Sequence, residues 1–113
     1  MGPAKPVDGF ESVATWSRGL EEQWDGDPLA EDPEKLQSLQ AFCERVGKNP
    51  DELVDFCFLR RKQTGERFTS KKRREQLVAQ LKEFEAMSGL SGREARRRPN
   101  HIVSFLSHNG VLM

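Results

Sequence analysis

Four consecutive cations, Lys71-Lys72-Arg73-Arg74, and a second set formed by Arg93 with Arg96-Arg97-Arg98 are the residues whose type and spacing point to chemistry. Neither set can break a covalent bond unaided. Ammonium and guanidinium groups crowded this closely bind a polyanion by displacing its condensed counterions, so phosphate binding is the chemistry expected of them. Thr69 or Ser70 is suited to cap a helix beginning at Lys71, which puts the first set on a helix N-terminus. Cations oppose the macrodipole there, whereas the free backbone N–H groups favour an anion. The local penalty is relieved when a phosphate arrives.

The rest of the charge follows the same division. The chain has 18 basic and 18 acidic residues, yet residues 1–59 carry 13 acidic against 5 basic groups, a net of −8, and residues 60–113 carry 13 basic against 5 acidic, a net of +8. A total of zero therefore conceals a candidate polyanion-binding face. Arg73, Gln76 and Gln80 recur at spacings of three and four on the expected helix, flanking its apolar stripe, and Arg and Gln side chains can read guanine and adenine edges. For Gln76 and Gln80 the plain alternative is a solvated helix face. The candidate contact set is Arg67, Lys71, Lys72, Arg73, Arg74, Gln76, Gln80, Arg93, Arg96 and Arg97. Arg60, Arg61 and Lys62 could join Arg67 in adding backbone contacts from a connecting loop, and the Arg93–Arg98 set could instead pair with Glu94 or with the acidic half. That half could keep the first helices away from a polyanion or offer a surface to another protomer.

Other chemistry finds no support in the spacing. There is no Gly-rich phosphate loop, no nucleophile with a base beside it, and no tyrosine. Cys43 and Cys57 sit among apolar neighbours (Phe42, Val46; Phe56, Phe58) and are expected as buried reduced thiols, with a disulfide between them as the alternative. Neither has a second Cys or His at ligand spacing, and His101 and His108, seven apart, suit structural roles. No metal, cofactor or small-molecule substrate is implied. No stretch approaches the roughly 20 apolar residues of a membrane span, and Met1-Gly2-Pro3-Ala4-Lys5-Pro6 lacks the apolar core of a signal peptide, so a cytoplasmic chain without membrane association is expected.

The elements that must position these residues read as all-α. A flexible lead is expected over residues 1–8, then a single domain over 9–113. At this length a domain buries about 65% of the surface of its unfolded chain, enough for one core. A first helix starts near Gly9, with Phe10, Val13, Ala14, Ser17 and Leu20 on one stripe and Trp16 at its edge, and ends near Glu22. Trp24 to Pro28 reads as a loop, and Trp16 and Trp24 read as core or rim packing. Asp32-Pro33 opens a second helix over 33–46 with Leu36, Leu39, Phe42, Cys43 and Val46 inward and Gly47 as its stop. Asn49-Pro50-Asp51-Glu52 is a capping box opening a third, with Leu53, Val54, Phe56, Cys57 and Leu59 inward. Arg60 to Phe68 reads as a polar connection around Gly65. The long fourth helix carries Leu77, Val78, Leu81, Phe84 and Met87 up to Gly89. Ser91-Gly92-Arg93-Glu94 reads as a further capping box opening a fifth region, in which Pro99 predicts a kink or restart before Ile102, Val103, Phe105 and Leu106.

In order, these motifs resemble the N-terminal core-binding domain of tyrosine recombinases, the phage-integrase family, whose fold is described as SAM-like. The likeness rests on the Trp-bearing first helix, on Leu36-Gln37-Ser38-Leu39-Gln40-Ala41-Phe42-Cys43 leading into Gly47-Lys48-Asn49-Pro50-Asp51-Glu52-Leu53, on the long amphipathic helix, on Gly89-Leu90-Ser91, and on Ile102-Val103-Ser104-Phe105-Leu106-Ser107-His108-Asn109-Gly110. It covers about residues 9–112. Two departures stand out: Arg93-Glu94-Ala95 replaces the small polar residue that members usually place after the turn, and Pro99 interrupts the last helix. The resemblance implies a compact orthogonal bundle of four or five helices that grips double-stranded DNA, alongside other recombinase protomers, in DNA integration or recombination. The family's catalytic domain would supply arginines, Lys, His and the attacking tyrosine, so these residues imply grip without catalysis. The alternative is a helical protein-interaction module using its opposed acidic and basic faces.

Overall fold

The computed structural model describes residues 9–23, 26 and 28–112. The expected lead over residues 1–8 and the expected packing of Trp24 lie outside the described residues. Within them the order is α1 Glu11–Gln23, α2 Pro28–Glu31, α3 Glu34–Val46, α4 Pro50–Phe56, β1 Phe58–Arg60, β2 Arg67–Thr69, α5 Lys71–Met87 and α6 Gly92–His108. The chain is mostly helical. Two elements were not expected: the single turn α2, which opens at Pro28, and an antiparallel hairpin where a connection was read.

Local signals explain most boundaries. The capping box at α4 forms in full: Asn49 Oδ1 accepts from the Glu52 N–H at 2.8 Å, and Glu52 Oε1 accepts from the Asn49 N–H at 2.9 Å. Gly47 ends α3 at φ 72°, a left-handed conformation that favours glycine, and its N–H reaches Cys43 O at 2.9 Å. The expected cap at Asp32 is shifted by one residue. Pro33 occupies the cap position, while Asp32 Oδ1 still accepts from the Glu34 N–H at 3.2 Å. The expected box at Ser91 does not form. Gly92 takes φ 62°, and Ser91 makes no side-chain cap bond.

The last helix is the hub of the bundle, packed against α1, α3 and α5. Ile102, Phe105 and Leu106 are fully buried in it, and Pro99 is buried within a helix that continues past it, so the expected restart is absent. Trp16 lies at the centre rather than the edge. Its ring is fully buried, meets Phe105 edge-on at 5.5 Å, and its indole N–H donates to Ser104 Oγ at 3.1 Å. Burying this ring turns α1 so that Ser12 faces inward and Ala14 outward. Ser12 donates from both N–H and Oγ to Asp51 Oδ1, at 3.0 and 2.6 Å, and Asn109 Nδ2 donates to Ser12 O at 3.0 Å. The starts of α1 and α4 are thereby fastened to the end of α6.

Both cysteines are free and buried, so the disulfide alternative is not realised. Burial pushes the Cys43 thiol up to about 12, and pushes Cys57 up to about 11 against a partial offset from Arg74 and Arg73. Neither is a nucleophile at neutral pH. His101 is buried on α6 with Nδ1 3.0 Å from Ser38 Oγ of α3, and burial, followed by the Lys35 charge, lowers its pKa. Among the described residues no cluster of His, Cys, Asp and Glu could hold a metal ion.

Candidate nucleic-acid interface

The hairpin and the helix start that follows it carry Arg60, Arg61, Lys62, Arg67 and Lys71–Arg74. Cys57 closes α4, and the next twelve residues run out and back in the register Phe58 with Thr69, Leu59 with Phe68 and Arg60 with Arg67. Gly65 at φ 71° closes the loop, its N–H bonded to Arg61 O at 2.8 Å, and Arg61 N–H bonds to Glu66 O at 2.9 Å. Phe58, Leu59, Phe68 and Thr69 are aromatic, branched or bulky residues that suit a pleated, half-buried ribbon. The second strand delivers the chain straight to Ser70, whose Oγ accepts from the Arg73 N–H at 3.2 Å and caps α5 as expected.

Residues 60–74 thus hold eight cations and one carboxylate, Glu66, on the ribbon and the helix start that follows it. The side chains divide into an open set and a set turned inward. Lys71 and Lys72 are exposed and form no ion pair with a described residue. Arg60, Arg61 and Lys62 are exposed on the hairpin, with Arg60 donating to Gly65 O at 3.1 Å and the Arg61 guanidinium 5.0 Å from the Phe68 ring centre and 3.8 Å from the exposed Glu66 carboxylate. Arg73 and Arg74 are different. Arg73 is half-buried, donates to Phe56 O at 3.1 Å and lies 5.1 Å from the Phe56 ring centre; Arg74 is half-buried and donates to Leu112 O at 2.9 Å. The expectation of one open four-cation patch is corrected accordingly. The two arginines instead satisfy backbone carbonyl groups at the end of α4 and beyond the end of α6.

Gln76 is exposed and Gln80 half-buried, and both line a groove between α5 and the α3–α4 corner together with Arg45, Lys48 and Phe56. Lys48, a cation of the acidic half that the sequence reading did not select, lies 4.9 Å over Phe56 and borders the same groove. Arg67 pairs with Asp55 at 3.0 Å and stacks 3.9 Å from the Phe58 ring centre. The second expected cation cluster is elsewhere. Arg93 and Arg96 are exposed at the start of α6, and α6 begins where α5 ends, so this cluster is separated from the hairpin by the length of α5, about 25 Å for 17 residues. Arg97 of this cluster is held by carboxylates: Nε lies 2.6 Å from Glu34 and Nη1 2.9 Å from Glu94, and these contacts, Glu34 first, raise its pKa further. Pairing with the acidic half, the alternative outcome for this residue, is the one realised.

The hairpin holds two planar guanidinium groups over aromatic rings, Arg61 over Phe68 and Arg67 over Phe58, each also paired at an exposed edge with a carboxylate, Glu66 at 3.8 Å and Asp55 at 3.0 Å. No family model, curated protein or solved structure matches the chain.

Proposed function

We propose that the chain binds double-stranded DNA through the hairpin and the first turn of α5, as the non-catalytic core-binding domain of an integrase-like tyrosine recombinase. The observation that carries this reading is the exposure of Arg60, Arg61, Lys62, Lys71 and Lys72 along the hairpin and the helix start that it leads into, a segment whose single carboxylate is Glu66. Cations at a helix N-terminus with no acidic residue in the first turn are unfavourable for the free protein and become favourable against phosphates. Gln76 and Gln80, bordering a groove with Lys48, add side chains able to reach base edges. The ordered motifs around Gly47–Leu53 and Ile102–Gly110 support the recombinase assignment and its SAM-like bundle.

Fluorescence anisotropy with a mixed-sequence duplex tests the proposal. Binding should weaken steeply between about 50 and 200 mM salt. The competing reading, an interaction module that docks acidic on basic faces, draws on Glu34–Arg97 and Asp55–Arg67, pairs that already join the two halves within one chain. It requires salt-sensitive self-association in sedimentation without DNA.

A further inference from the structure

The hairpin carries an unusual pair. Ser70 N–H bonds to Cys57 O at 2.7 Å and Arg61 N–H to Glu66 O at 2.9 Å, so alternation along the ladder makes Arg60 and Arg67, directly opposed, a non-hydrogen-bonded pair. Side chains are closest at such positions, and like charges directly opposite each other are destabilising. The two heads diverge as repulsion requires, Arg60 toward Gly65 O at the loop and Arg67 toward Phe58 and Asp55. Between them is an open cleft lined by Asp55, Phe58, Leu59, Arg60 and Arg67. Among its described lining residues the one carboxylate, Asp55, comes from the end of α4. Asp55 and Arg67 side chains are 75% and 47% exposed, so this ion pair is solvent-screened and readily exchanged.

We propose that Arg60 and Arg67 form a phosphate clamp, and that Asp55 occupies it in the free protein as an internal stand-in for the DNA phosphate that displaces it. This rests on the DNA-binding reading and adds a regulatory element to it. The incoming phosphodiester takes the Asp55 position on the Arg67 guanidinium, whose stacking on Phe58 keeps its N–H edge oriented, and draws Arg60 in from the loop. The cross-strand repulsion between the arginines is relieved by the bound anion. Asp55 thereby lowers affinity for every phosphate and discriminates against weakly placed ones.

The test is a double-mutant cycle on the full chain, read by duplex anisotropy across a salt series. Asp55→Asn should tighten binding about two- to fivefold at low salt, the range of an exposed ion pair. In an Arg67→Ala background the same substitution should change affinity by less than about 1.5-fold, because its partner is gone. Arg60→Ala with Arg67→Ala should flatten the salt slope by about 0.9, the share of the one phosphodiester that the two arginines hold. An equal gain from Asp55→Asn with and without Arg67 would reduce Asp55 to a general charge effect and overturn the clamp. Unchanged slopes in the arginine variants, with loss of binding in Lys71→Ala/Lys72→Ala, would also overturn it while the DNA reading stood. Absence of duplex binding by the parent chain at 50 mM salt would remove both. Circular dichroism on each variant separates binding loss from unfolding.

Discussion

The inward turn of Arg73 and Arg74 divides a four-residue run into two functions that substitution can separate. Replacing Lys71 and Lys72 by Ala removes two exposed cations that bond to nothing described in the protein. Each phosphate contact contributes about 0.9 to the slope of log K against log salt, so the lysine pair should flatten it by about 1.8. Over a fourfold rise in salt that difference amounts to about a tenfold smaller loss of affinity. The fold should not change. Replacing Arg73 and Arg74 by Ala instead removes hydrogen bonds to Phe56 O and Leu112 O and uncovers one face of Phe56. Bonds from charged donors contribute about 1.5–3 kcal/mol when buried, and half-exposure reduces this to about 1 kcal/mol each. A loss of about 2 kcal/mol should lower Tm by about 8 °C or more in a domain of this size. Thermal denaturation followed by circular dichroism and anisotropy titration at three salt concentrations, run on both variants, read the two effects independently. A lysine variant with the parent's salt slope would refute the assignment of α5. An arginine variant with an unshifted Tm and a flattened slope would refute the division.

Three further predictions concern the core. Trp16→Ala should cost about 3–5 kcal/mol, a large share of the total stability of a small domain, since it empties the centre and leaves the Ser104 hydroxyl without its donor; urea unfolding measures it, and a shift under 1 kcal/mol would contradict the packing described. Cys43 and Cys57, pushed up to about 12 and about 11, should react with a disulfide reagent at pH 8 at least about a hundredfold more slowly in the native chain than in denaturant, and a native burst would show a thiol exposed. His101 has a folded pKa below its unfolded value near 6.5, so the unfolded chain binds the extra proton first. Stability should be full above about pH 6.5 and fall as pH drops from there toward the folded pKa; an NMR titration placing His101 at or above 6.5 would reverse the sign.

What the sequence made legible was local. Asn49-Pro50-Asp51-Glu52 specifies its capping box within four residues, and Ser70 and Gly47 mark helix ends by the same short-range chemistry. The hairpin was hidden because three-residue strands are too short to display a period of two, although Phe58-Leu59-Arg60 and Arg67-Phe68-Thr69 flanking a Gly-closed loop carry the composition of one. Asp55–Arg67 depends on that hairpin, since it joins the end of one helix to the returning strand. The split within Lys71–Arg74 was equally invisible. It depends on where Phe56 O and Leu112 O come to rest, which is settled by how α4 and the residues after α6 pack around α5. A stripe through Ala14 and Ser17 leaves Trp16 at its edge, with core or rim packing both open; the larger ring takes the centre and turns Ala14 outward.

Ser70 belongs to two elements at once, its N–H bonded back to Cys57 O as the ribbon closes and its hydroxyl capping the helix that begins one residue later. No slack lies between them. A twist applied to the ribbon is therefore delivered to α5 as torque rather than absorbed at a hinge, and whatever seizes the loop also aims the helix behind it.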